Sequence, residues 1–65
     1  MKIDKFALID KAAFGNVEAA GLLAEGYLKG KYNCEKNLQK ALKWGRYAAK
    51  RGDELGKYVV KEIEG

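Results

Sequence analysis

Residue types that carry enzyme chemistry are scarce in this chain. Histidine is absent and Cys34 is the single cysteine, which removes the commonest general base and the commonest transition-metal ligand together. Neither a zinc site nor a Cys-His nucleophile pair can be assembled from what remains. Glu18, Glu25 and Glu62 could be imagined as an acid and base pair, but no cleft, metal constellation or nucleophile accompanies them. The chain therefore reads as a non-enzyme without metal or cofactor. Cys34 lies in a polar stretch beside Lys31 and Lys36, whose charges would lower a thiol pKa and make it reactive. The plainer reading is an incidental free thiol.

A second chemistry is binding. Residues 36–51 hold Lys36, Lys40, Lys43, Arg46, Lys50 and Arg51 and no acid. On a helix, Lys36, Lys40, Lys43 and Lys50 form one stripe, with Tyr47 in the vacant place between. Such a stripe can track a phosphate backbone and stack a base. The plainer alternative is a solvated outer face, with Lys50 and Arg51 placed favourably at a helix C-terminus. A net charge of +4 is modest, and lysine keeps many small helical proteins in solution. Trp44 and Tyr27 read as packing residues.

These residues need a scaffold, and the composition says which kind. Sixty-five residues make one domain over 1–65, since chains of this size bury only about 60% of their unfolded surface and are marginally stable. Lacking a second cysteine, the chain has no disulfide to staple it, which fits a reducing cytoplasm. No apolar run reaches the roughly 20 residues of a membrane span, and the opening MKIDKFALIDK interrupts its apolar residues with charge. The expectation is a cytoplasmic protein, neither exported nor membrane-bound. Proline is absent and 34% of residues are charged, a balance that favours helix.

Four short antiparallel helices are expected, giving an all-α fold. The first covers residues 3–13, with Ile3, Phe6, Ala7, Leu8, Ala12 and Ala13 at approximate helical spacing. Gly15 closes it and Asn16 caps the next. The second runs from Val17 to Lys29 and ends at Gly30, with Ala19, Ala20, Leu23, Ala24 and Tyr27 as its buried stripe. After a loop, Asn37 caps a third helix from Leu38 to Arg51 that turns Leu38, Ala41, Leu42, Gly45, Ala48 and Ala49 toward the core. Gly52 ends it and Asp53 caps a fourth, Glu54 to about Glu64, burying Leu55 or Gly56 with Val59, Val60 and Ile63. Gly21 and Gly26 lie inside the second helix, where each costs about 1 kcal/mol relative to alanine. Close packing against a neighbour would offset that cost; for Gly26 a kink or frayed last turn is the alternative.

AAFGN at 12–16 is echoed by AAKRGD at 48–53, a spacing typical of helical-hairpin repeats. The pattern resembles the Sel-one-like repeat, a relative of the tetratricopeptide repeat. Ala19, Leu23, Ala24, Tyr27 and Gly30 match its first helix. Asn37, Lys40, Ala41, Trp44, Ala48, Ala49, Gly52 and Gly56 match its second helix and the start of another unit, and KAAFGNVEA at 11–19 resembles the close of a preceding one. Departures occur at Lys31, Tyr32 and Asn33, at one extra residue before Asn37, at Gly45 where an aromatic is common, and at Tyr47 in place of lysine. The resemblance implies a miniature α-solenoid of about one and a half to two repeats, acting as a protein-protein interaction module. It places Glu18, Glu25, Leu28, Tyr58 and Glu62 on an inner groove for partners. Solenoid units bury their apolar faces by stacking, so the ends near Ile3, Phe6 and Leu8 and near Val59, Val60 and Ile63 are expected to bind a target or a second copy. The alternative is a small basic regulator, binding nucleic acid or an acidic protein surface through Lys36, Lys40, Lys43, Tyr47 and Lys50.

Overall fold

A computed structural model describes residues 4–65; the expectations placed on Ile3 lie outside them. Among the described residues the chain forms four helices and no strand: α1 (Lys5–Ala13), α2 (Val17–Lys29), α3 (Leu38–Lys50) and α4 (Glu54–Glu64). Each begins at a capping side chain. Asp4, Asn16, Asn37 and Asp53 accept hydrogen bonds from the backbone N–H groups of Ala7, Ala19, Lys40 and Gly56. These bonds satisfy donors that the helix itself leaves open.

The two tight turns are built alike. Gly15 and Gly52 have φ of 90° and 88°, a left-handed region that glycine enters without a Cβ penalty. Gly15 N–H donates to the Ala12 carbonyl and Asn16 N–H to that of Lys11; Gly52 and Asp53 repeat this with Ala49 and Ala48. Both are Schellman closures. In each the residue that finishes one helix also caps the next, so the chain reverses within three residues.

The packing is centred on α2. It contacts α1, α3 and α4; α3 also packs on α4, whereas α1 packs on α2 and on no other helix. Ala19, Ala20, Leu23, Ala24 and Tyr27 are all buried, as their spacing predicts. Gly21 and Gly26 are explained by neighbours rather than by a break, because α2 runs unbroken to Lys29. A Cβ on Gly21 would overlap the Asp53 carboxylate that caps α4, and one on Gly26 would lie 3.0 Å from Cys34 Sγ and 3.1 Å from the Lys31 carbonyl. Bare backbone here makes room for a cap and for a loop.

Several apolar side chains at helical spacing face solvent. Phe6 is 66% exposed and Ala7 and Ala13 are exposed, while Leu8 and Ala12 alone of α1 are buried. With a single neighbouring helix, α1 can cover only one narrow stripe. Leu38 is 52% exposed because α4 reaches α3 through Gly45, Ala48 and Ala49, leaving the first turn of α3 uncovered. Of the residues placed near open ends, Leu8 and Val59 are buried, Val59 as the stripe of the fourth helix also predicts, whereas Phe6 is exposed as the end-face reading expects, with Phe14 exposed as well. Gly45 packs on Val59 and Val60 of α4, so its missing side chain makes room for that helix.

Candidate functional site

One concavity lies on the α3–α4 pair. Trp44 and Tyr47 are three residues apart on α3, so they share a face. Their rings meet edge to face, with centroids 6.0 Å apart and planes at 74°. Ala49 of α3 and Val60 of α4 complete the apolar floor of an open groove of about 750 Å³. Antiparallel α3 and α4 hold it together through the close approach of Gly56 to Gly45 and Ala48.

Cations surround this floor. Lys43 Nζ sits 5.4 Å from the Trp44 ring centroid, and the Arg51 guanidinium 3.8 Å from that of Tyr47. Arg51 also donates a hydrogen bond of 3.1 Å to the Tyr47 carbonyl, which fixes its head over the ring. Arg46 pairs across to Glu64 of α4, and Lys50 completes the rim. An aromatic floor with a cationic rim is chemically suited to anionic groups that carry an apolar part.

The basic stripe read from the sequence is thereby divided. Lys43, Tyr47 and Lys50 line the groove, but Lys40 reaches the opposite way, 5.5 Å from the Tyr27 ring, and Lys36 is exposed in the loop before α3. Trp44, read as packing, is only partly buried and forms part of the groove floor. Arg46 and Arg51, which the sequence places in the acid-free run but outside the stripe, also line the groove, as do Ala49, read as core-facing, and Val60, read as part of an end face. Trp44 and Tyr47 at helical spacing within an acid-free run were a readable signal for the α3 wall. Val60 was read on an end face with Val59 and Ile63, and no local pattern joins it to Trp44 and Tyr47 because it comes from another helix.

The inner-face set is brought together in part. Glu25 is held by Lys29 and Lys31, each at 3.7 Å, and its Oε1 accepts a 3.4 Å hydrogen bond from the Tyr32 hydroxyl. Lys29 Nζ also lies 5.2 Å from the Tyr58 ring centroid, linking α2 to α4. Its ammonium pKa is raised, first by the contact with the Tyr58 hydroxyl and then by Glu25. Leu28 is half-buried against the core. Glu18 and Glu62 are exposed and form no ion pair among the described residues.

Cys34 departs from the reactive-thiol reading. It is 5% exposed, tucked against Gly26 by a loop whose Asn37 N–H donates to the Tyr27 carbonyl. Burial pushes the thiol pKa above its ordinary 9.0, and Lys5 and Lys40 oppose this only in part. Burial likewise raises the neighbouring Tyr27 phenol above 10.0, with the charges of Cys34 and Glu35 adding to it. Both groups are neutral while protonated, and both lose the proton less readily when folded. The stability they contribute is therefore whole below the ordinary thiol value and falls as pH rises through the folded values. Two outcomes are expected. Iodoacetamide labels Cys34 slowly in the native protein and quickly in urea, and the urea midpoint drops as pH rises past 9.0. Fast native labelling would contradict the burial.

Among the described residues no group of three or more His, Cys, Asp or Glu side chains is placed to hold a metal ion, and no helix is long and apolar enough to cross a membrane. No protein-family model, curated protein or solved structure matches this chain.

Proposed function

We propose that the chain is a non-catalytic protein-interaction module, a miniature solenoid of the Sel-one-like kind, and that it receives its partner in the α3–α4 groove. The observation that carries this reading is the Trp44–Tyr47 pair: two large aromatics left half-covered over a concave apolar floor and flanked by arginine and lysine. Tryptophan, tyrosine and arginine are the residue types that dominate binding energy at protein interfaces. Repetition supports the solenoid part of the proposal. The α1–α2 and α3–α4 turns share their hydrogen bonds and their positive-φ glycine, and α2 packs on α4 as alternate helices of a stacked array do. A reducing cytoplasm suits a chain whose one thiol has no partner cysteine.

The test is affinity capture from cell extract on immobilised protein, with and without nuclease, alongside a Trp44→Ala, Tyr47→Ala variant whose helix content is checked by circular dichroism. A protein recovered in both nuclease arms and lost with the variant is the expected result. Capture that vanishes with nuclease would transfer the function to nucleic acid, and capture unaffected by the variant would remove the groove from it.

A further inference from the structure

We infer that the α3–α4 groove takes an acidic segment of a partner protein, anchored by an apolar side chain over Trp44 and Tyr47; this rests on the interaction role proposed above. Charge complementarity carries the choice of occupant. Lys43, Lys50 and Arg51 have no acidic partner among the described residues, the groove lining holds no carboxylate, and of its cations Arg46 is paired, with Glu64. One guanidinium nitrogen of Arg51 is spent on the Tyr47 carbonyl, which leaves further N–H donors in a fixed fork suited to a carboxylate.

Ring geometry separates this occupant from a nucleic acid. Continuous base stacking needs open, roughly parallel aromatic faces. Here the planes stand at 74° and each ring already carries a cation over one face, Lys43 on Trp44 and Arg51 on Tyr47. Two rings at this angle offer no continuous stacking surface, and together with Ala49 and Val60 they give an apolar lining that fits an aliphatic side chain. A second copy of the chain is the poorer occupant. The copy carries a net charge of +4, and its exposed Phe6 has Lys5 at 5.4 Å from the ring centroid, so docking would bring like charges together.

Trp44 is the sole tryptophan, so its fluorescence reports occupancy of the groove directly. The probe is a synthetic helical peptide about four turns long, made of glutamate with leucine at every third or fourth position. Titration should shift Trp44 emission with a dissociation constant of about 1–100 µM, and the affinity should weaken as salt screens the rim. Reversing two exposed charges, Lys43→Glu with Lys50→Glu, should weaken binding about tenfold or more while helix content stays unchanged.

Three results would overturn the assignment: equal binding by a glutamate peptide lacking leucine, tighter binding by oligothymidylate, or undiminished binding by the charge-reversed protein. If the leucine–glutamate peptide fails to bind while capture from extract still depends on Trp44 and Tyr47, the acidic-segment assignment alone falls. If that capture fails as well, the interaction role falls with it.

Discussion

Replacing Gly56 with alanine is expected to lower the melting temperature by about 8–16 °C. Alanine is the better helix former by about 1 kcal/mol, and in an isolated α4 the change would stabilise. In the folded protein the new methyl would stand 2.6 Å from Ala48 Cβ, 2.7 Å from the Ala49 nitrogen and 2.9 Å from the Gly45 carbonyl oxygen. Two of these neighbours are backbone, so no rotamer change relieves the contact and α4 must move off α3. Overpacking that shifts backbone costs about 3 kcal/mol at the upper end of its usual range. The net loss is about 2 kcal/mol, and each kcal/mol corresponds to roughly 4–8 °C in a domain of this size. Circular dichroism melting measures it, and an unchanged melting temperature would mean that the helices are not in such close contact. Because Val60 reaches the groove only through this approach, the same variant should also bind the leucine–glutamate peptide more weakly.

Leu23→Ala is expected to cost more, about 2–5 kcal/mol. Leu23 is fully buried on the helix that meets α1, α3 and α4, so its truncation would open a cavity in the core. Domains of this length have a total stability of only about 3–10 kcal/mol, so the substitution removes a large fraction of it and the urea midpoint should fall in the same proportion. Urea unfolding of Leu23→Met, expected to lose less than about 1.5 kcal/mol, separates volume from mere substitution. Leu38→Ala supplies the contrast: that side chain is 52% exposed, and its removal should change stability by less than about 0.5 kcal/mol. Equal losses at Leu23 and Leu38 would show that the core has been wrongly placed.

The pair also illustrates which apolar positions could be read from the chain. Both leucines sit at helical spacing with alanines, and periodicity alone ranks them alike. Leu23 lies on a helix covered by three others; Leu38 begins a helix whose second neighbour arrives only two turns later. The stripe of α2 was legible because nearly everything on that face is covered. The stripe of α1 was not, because its width depends on how many helices stand beside it, and only α2 does.

The candidate site divides in the same way. Lys43, Tyr47 and Lys50 were readable as a helical face of α3, but the stripe extended too far, to Lys36 and Lys40. Helical spacing does not say that the loop places Lys36 away from the groove or that Lys40 finds the Tyr27 ring. Cys34, in a polar stretch beside Lys31 and Lys36, offered the sequence a reactive or an incidental free thiol and no sign of burial. It is buried because bare backbone at Gly26 lets the loop fold down onto α2, a contact between residues that no local pattern connects.

Helix number, helix limits and the two matching turns follow from the order of residues because capping and left-handed closure act over three to five neighbours. The Asn16 and Asp53 caps and the Gly15 and Gly52 turns need nothing from the rest of the chain. Which faces those helices cover, how deeply Cys34 lies, and whether Trp44 meets Val60 depend on how closely the backbones approach. That distance is set jointly by glycine and alanine on different helices, and it exists only once they have packed.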